Sequence, residues 1–188
     1  MGAILSCRRI SKALNKSETK IISTAAELVK FYPGDFMGRY WSVWKGPIDD
    51  NGFYGYEDKD VREDHLKEVN WNNVSYETTL RRTEFQIKGE EKLLRLKKMD
   101  CIRLGGRTFF SLWQDYKKNR GNSILELLRK NWNIRYFDFF GLVLRSPCGS
   151  RYVLSLYWNS SKWYRGWHYG WLSLGRLVCG PAAVLANS

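Results

Sequence analysis

The sequence contains few of the residues that build metal or disulfide sites. Only four cysteines and two histidines occur among 188 residues, and no two cysteines lie within four positions of each other. Zinc sites usually draw on closely spaced cysteine and histidine ligands. The spacing therefore predicts neither a metal centre nor a cofactor. Sparse, scattered cysteines are also typical of a reducing compartment, so we expect a cytoplasmic protein.

Long apolar runs and signature motifs are also missing. No stretch approaches the roughly 20 apolar residues of a transmembrane helix, and the first apolar run, Ala3 to Leu5, is too short for a secretory signal core. Glycine-rich phosphate loops, zinc-protease motifs and nucleophile elbows do not occur. Glu90-Glu91-Lys92 and Asp115-Tyr116-Lys117 have the acid–spacer–lysine shape of one nuclease class, a shape that chance often produces in charged chains. The sequence thus favours a non-enzymatic role, with a metal-dependent nuclease as the weakest alternative.

Acidic residues are scarce in the last part of the chain. Residues 101–188 carry thirteen Lys and Arg against three acids, whereas residues 31–100 carry twelve against fourteen. The net charge of +12 therefore resides mainly in the C-terminal half. Such a field attracts polyanions, so nucleic acid, an anionic membrane or an acidic protein is the expected kind of partner. A solvated basic surface without any such partner is the other interpretation.

Alternating apolar residues and frequent turn signals predict a β-rich fold. Short strand-like runs follow one another for most of the chain without intervening helices. This order favours an α+β fold: an antiparallel, strongly curved sheet or partly closed barrel of about eight strands, with two or three peripheral helices. Residues 1–16 are expected to form a flexible basic arm. Residues 17–188 are expected to form a single β-rich domain.

Several local patterns carry more specific expectations. Ser17 precedes a helical apolar stripe that ends near Phe31. The pair Gly105-Gly106 suits a two-residue hairpin turn. Ser123 and Glu126 have capping-box spacing before a helix of about ten residues. Residues 92–98 (KLLRLKK) fit a strand but also a helix, and residues 136–145 and 151–158 are predicted strands.

The most unusual segment is the aromatic run at 157–171 (YWNSSKWYRGWHYGW). Read as a strand, it places alternate residues from Trp163 to Trp171 on one face. Exposed rings beside cations would bind single-stranded nucleic acid by stacking on bases and neutralising phosphates. Sugar stacking and a tryptophan-filled barrel core are the alternatives. The predicted binding residues are Arg151, Lys162, Trp163, Arg165, Trp167, Tyr169 and Arg176.

The leading hypothesis is a non-enzymatic protein that binds RNA or single-stranded DNA through this aromatic and basic surface. A first alternative is a viral or mobile-element accessory protein that binds an acidic protein partner. A second is a peripheral membrane protein: Gly2 and Ser6 fit the N-myristoylation pattern, Cys7 could be palmitoylated, and basic residues follow.

Overall fold

The computed structural model describes residues 25–166, 172, 177–178 and 180–186. It has the expected α+β class, with helices and strands interspersed along the chain. The helices are α1 Pro33–Met37, α2 Val61–Asp64, α3 Gly89–Lys97, α4 Gly106–Asn119 and α5 Ile124–Trp132. The strands are β1 Ala25–Glu27, β2 Ser42–Val43, β3 Glu68–Asn70, β4 Val74–Glu77, β5 Ile87–Lys88, β6 Cys101–Arg103, β7 Tyr136–Arg145, β8 Arg151–Asn159, β9 Lys162–Gly166, β10 Leu177–Val178 and β11 Ala182–Ala186.

The main sheet of the described residues has seven strands, and its continuous path runs β4-β11-β7-β8-β9. Strand β2 pairs with the end of β7, and β6 pairs with β11. Strand β11 is parallel to β7 where Ala182 faces Asp138, whereas its pairs with β4 and β6 are antiparallel. The sheet is therefore mixed and its described strands do not close, so the expected antiparallel barrel is not confirmed. A return of the chain after β9, which inserts β11 between β4 and β7, produces this topology.

Apolar side chains pack on both faces of the sheet. On one face, Phe109 and Leu112 of α4 and Leu125 of α5 pack with Phe137 and other residues of β7 and β8. A second core joins Leu93 and Leu96 of α3 to other β7, β8 and β11 side chains, including Phe140, Val143, Val153 and Val184. Because both faces are buried, the central strands read as nearly continuous apolar runs.

Strand β7 changes register in its middle. The pairing with β8 is irregular between Phe139 and Leu144. As a result, the odd-numbered Phe139 and the even-numbered Leu144 both point into the first core. Gly141 lies in this stretch, where a Cβ atom would collide with the backbone of Arg103 and Leu104. Its N–H donates to the Leu104 carbonyl at 2.9 Å and its carbonyl accepts from Asp60 N at 2.8 Å. Glycine thus permits the close backbone approach that joins β7 to the start of α4.

The local expectations have mixed outcomes. The helix after Ser123 is confirmed as α5, and the Ser123 hydroxyl accepts from Glu126 N at 3.4 Å. The strands at 136–145 and 151–158 are confirmed as β7 and β8. The strand reading of residues 92–98 is wrong, because residues 89–97 form α3. The helix proposed up to Phe31 is wrong in its described part, where Ala25–Glu27 is a strand paired with β3.

The predicted Gly105-Gly106 hairpin is also wrong, because these glycines open helix α4. The buried Glu63 carboxylate accepts hydrogen bonds from Gly105 N at 2.7 Å, Thr108 N at 3.1 Å and Thr108 Oγ1 at 2.6 Å. These donors belong to the first turn of the helix, which has no intrahelical acceptors for them. A carboxylate forty residues earlier in the chain therefore fixes where α4 begins.

Candidate functional site

Arg151, a predicted phosphate contact, lies inside the protein with 3% of its surface exposed. Its Nε donates to Glu90 Oε1 at 2.8 Å and its Nη2 donates to Asp58 Oδ2 at 2.8 Å. The guanidinium also lies 4.7 Å from the Trp44 ring centroid. Burial alone would raise the pKa of the Asp58 carboxyl, but hydrogen bonds from Lys97 and Arg151 lower it below its usual value. Arg151 thus occupies a structural ion-pair cluster.

Trp163, a predicted stacking residue, is 1% exposed and belongs to the core beneath α4 and α5. Its ring centroid lies 6.1 Å from that of Phe137 and 6.0 Å from that of Trp158. Its backbone N–H donates to the Tyr116 hydroxyl at 3.2 Å. In this structure neither Trp163 nor Arg151 presents a surface that a polynucleotide could reach. Trp163 therefore lies in the core of the fold, which is the alternative interpretation of the aromatic run.

Lys162 and Arg165 are exposed on β9. Lys162 lies 5.0 Å from the Tyr164 ring centroid, and the Arg165 guanidinium lies 4.4 Å from that of Phe36. The alternation of the strand puts Lys162 and Arg165 on opposite faces of the sheet. The described members of the predicted site therefore do not form one surface. Outside the described residues lie Trp167, Tyr169, Arg176, the proposed arm at 1–16, and the acylation candidates Gly2 and Cys7.

A different group of rings and cations comes together between helices α4 and α5 and strands β8 and β9. The Trp113 and Tyr116 ring centroids are 5.7 Å apart, and Tyr116 contacts Trp163, which packs against Trp158. Three guanidiniums lie over this chain of rings. Arg165 is 5.8 Å from the Trp113 centroid, Arg120 is 5.5 Å from Tyr116 and Arg129 is 4.2 Å from Trp158. We call five of these residues, which pack over the buried Tyr116, the arginine–aromatic surface: Trp113, Arg120, Arg129, Trp158 and Arg165.

The acids of the last part of the chain add little free negative charge to this surface, although Asp35 of α1 is exposed next to Phe36. Residues 101–188 contain three acids, and each is buried or bonded to a neighbouring group. Asp115 accepts from Ile124 N at 2.7 Å and from Asn119 Nδ2 at 2.6 Å. Glu126 is buried and bonded to Arg129, and Asp138 is buried in β7. The exposed charge that this part of the described chain presents is therefore cationic: Lys117 and Lys118 are exposed on α4, the helix that carries Trp113, whereas Lys162 lies on the other face of the sheet.

A concavity of about 590 Å³ lies elsewhere, between residues 46–59 and helix α3. Its charged lining is already paired. Lys97 Nζ is 2.6 Å from Asp58 Oδ1, Lys59 Nζ is 3.0 Å from Glu57 Oε2, and Arg151 bridges Asp58 and Glu90. The cleft consequently offers no excess positive charge to a polyanion.

The acid–spacer–lysine patterns do not occupy the strand ends that the nuclease hypothesis requires. Glu90 and Lys92 lie on α3, and Asp115 and Lys117 lie on α4. Lys92 is fully buried, donates to the Gly180 carbonyl and lies 5.0 Å from the Phe140 ring centroid. Neither pattern places an acid and a lysine together at an accessible site.

Asp138 is the most deeply buried carboxyl of the described residues, at 1% exposure. The Tyr136 hydroxyl donates to its Oδ1 at 2.6 Å, and its Oδ2 has no hydrogen-bond partner in the described part of the chain. Burial raises the pKa of this carboxyl to about 6, although the charge of Lys92 and the Tyr136 hydrogen bond act in the opposite direction. The native protein therefore holds this proton to a higher pH than the unfolded chain does.

This proton gives a testable pH dependence. The ordinary pKa of the carboxyl is 3.8, so between about pH 4 and pH 6 the native state binds more protons than the unfolded state. The contribution of Asp138 to stability is expected to fall by about 2–3 kcal/mol as the pH rises through this window. Urea unfolding of wild type and Asp138→Asn at several pH values measures it, because groups common to both proteins cancel in the difference. Parallel stability curves would contradict the assignment.

Comparison with protein-family models, curated proteins and solved structures finds no match for this chain. The described residues contain no helix long and apolar enough to cross a bilayer. They also contain no group of three or more histidine, cysteine or acidic side chains arranged to hold a metal ion.

Proposed function

We propose that the protein binds single-stranded nucleic acid, RNA or single-stranded DNA, through the arginine–aromatic surface and the neighbouring lysines. The observation that carries this proposal is that all three carboxylates of residues 101–188 are buried or bonded within the fold, which leaves exposed cations around the partly exposed rings of Trp113 and Trp158. A cytoplasmic location is part of the proposal. The role is that of a binding protein, without a catalytic step.

The chemistry of the surface suits an unpaired strand. Flexible lysines such as Lys117 and Lys118 neutralise phosphates without fixing their spacing. Among the described residues, Arg120 and Arg165 form no ion pair, so their guanidiniums retain donors for phosphate oxygens. A base stacks on a guanidinium plane or an aromatic face, and each such contact contributes about 1–3 kcal/mol. A neutral partner would use the rings but not the surrounding charge.

The aromatic component also separates this proposal from binding to an acidic protein. Acidic side chains would use the same cations but have no flat faces to stack on them. Competition between a single-stranded oligonucleotide and polyglutamate of equal charge distinguishes the two partners. Stronger displacement by polyglutamate would favour the acidic protein.

Removing three cations of the surface should weaken binding in a salt-dependent way. In Lys117→Gln/Lys118→Gln/Arg120→Gln, the loss of up to three phosphate contacts should reduce the slope of log K against log salt by about 2. The same loss corresponds to an affinity decrease on the order of 10–100-fold near 0.1 M salt. Fluorescence anisotropy with a labelled oligonucleotide of about 15 nucleotides, between 50 and 300 mM salt, measures both quantities.

The matched control is Lys67→Gln/Arg82→Gln/Lys98→Gln, which removes the same charge from exposed positions in other parts of the fold. It should keep most of the affinity and of the salt slope. Equal losses in the two triple variants would show that net charge alone attracts the strand. The absence of binding by the wild-type protein at 50 mM salt would overturn the proposal.

A further inference from the structure

A small aromatic pocket lies between helix α1 and helix α4, at the edge of the arginine–aromatic surface. Its volume is about 150 Å³, and three phenylalanine rings form its apolar wall. The ring centroids of Phe31, Phe36 and Phe110 are 5.3 to 6.0 Å apart, and each ring is only partly buried. Tyr32 stands at the rim with 58% of its surface exposed. The pocket thus has the size and lining for one planar ring.

Two charged side chains line the same pocket, Lys30 and Asp35. Both are exposed, and within the described ranges neither takes part in an ion pair or a side-chain hydrogen bond. This differs from the 590 Å³ cleft, where acids and bases already satisfy each other. The pocket therefore presents an uncommitted donor, the Lys30 ammonium, and an uncommitted acceptor, the Asp35 carboxylate.

Arg165 connects the pocket to the proposed binding surface. Its guanidinium lies 5.8 Å from the Trp113 centroid on the surface and 4.4 Å from the centroid of Phe36, one of the rings that line the pocket. A phosphate held by Arg165 would place the adjoining nucleotide next to the phenylalanine rings. A strand that follows the arginine–aromatic surface consequently reaches the pocket without a gap.

We infer that this pocket receives one unstacked base of the bound strand and selects cytosine. The inference rests on the proposed function and specifies the base at one subsite. A carboxylate accepts from the exocyclic amino group of cytosine, and an ammonium donates to the O2 or N3 acceptor on the same ring edge. Uracil presents a carbonyl oxygen where cytosine has the amino group and an N3–H donor where cytosine has an acceptor, so Asp35 could bond only to N3–H while facing the neighbouring O4, and uracil binds more weakly. The small volume favours a single ring over the fused rings of a purine.

The experiment compares oligo(rC) and oligo(rU) of equal length, which differ at this ring edge but carry the same phosphates. Dissociation constants are measured by fluorescence anisotropy at pH 7.5 and fixed salt for the wild type, Asp35→Asn and Asp49→Asn. Asp49 is an exposed acid in another loop, so its replacement makes the same change in net charge. The wild type and Asp49→Asn should prefer oligo(rC) by roughly tenfold. Asp35→Asn should bind the two strands within about twofold.

The other outcomes separate this inference from the proposed function. Equal binding of the two strands by the wild type, or an unchanged preference in Asp35→Asn, would overturn cytosine selection and leave strand binding intact. If neither strand binds at 50 mM salt, both proposals fail. If Asp49→Asn also lost the preference for oligo(rC), the preference would depend on the net charge of the protein, and the role of Asp35 would be overturned. Superimposable circular dichroism spectra of the three proteins confirm that folding is unchanged.

Discussion

Replacing Arg151 with alanine is expected to lower the free energy of unfolding by about 3 kcal/mol, because the change leaves the partly buried Glu90 without its cation and Asp58 with Lys97 as its one remaining ion-pair partner among the described residues. Asp58 and Glu90 both accept hydrogen bonds from this guanidinium, and only 3% of the Arg151 surface is exposed. The alanine variant also loses the packing of the guanidinium on Trp44. Urea denaturation followed by tryptophan fluorescence measures the change.

Arg135→Ala is the matched control, because Arg135 is exposed and its side chain bonds only to Asn133 among the described residues. Its stability should stay within about 0.5 kcal/mol of the wild type. If Arg151→Ala were as stable as this control, the buried cluster would be a minor contributor.

Replacing Glu63 with alanine is the second change with a large expected effect. Three donors at the start of α4 lose their acceptor, and hydrogen bonds to charged groups contribute about 1.5–3 kcal/mol each when measured singly. Because such effects are not additive, we expect a total loss of about 3–4 kcal/mol. For a protein of this size the loss corresponds to a fall in Tm of roughly 10 °C. Differential scanning calorimetry measures it.

Glu68→Ala provides the comparison, because Glu68 is exposed in strand β3 and bonds to no helix start in the described part of the chain. The Tm of that variant should change by no more than about 2 °C. Glu63→Gln should fall between the two, since its amide oxygen still accepts from the helix donors but carries no charge. A Tm for Glu63→Ala equal to that of the wild type would show that solvent or another group replaces the carboxylate.

The sequence predicted the elements whose signals are local. Helix α5 was found because Ser123 and Glu126 carry the capping pattern next to the helix they start. Strands β7 and β8 were found because their apolar runs are long and rich in β-preferring residues. The start of α4 was missed because its acceptor, Glu63, lies far away in sequence. The same limit applies to the mixed sheet, since nothing local to residues 182–186 indicates insertion between β4 and β7.

The candidate site was predictable only in its charge. The cationic excess of residues 101–188 could be counted, but the pattern could not show that Arg151 faces buried acids. The alternation along β9 correctly predicted that Trp163 and Lys162 lie on opposite faces of the sheet. It could not show that helix α4 covers the face that carries Trp163. Trp113 and Tyr116 are three residues apart on α4, a helical spacing that places them together. Their contact with β9 depends on tertiary packing, which has no signature in either segment.

The position of β11 constrains when the sheet can assemble. This strand is made near residue 186, yet it holds β4, β6 and β7 together from between them. During synthesis, the edges of β4, β6 and β7 that pair with β11 therefore remain unpaired until β11 leaves the ribosome. Exposed edges of this kind recruit other chains. Nascent chains stalled before residue 182 should consequently depend on chaperones, whereas the released chain should not.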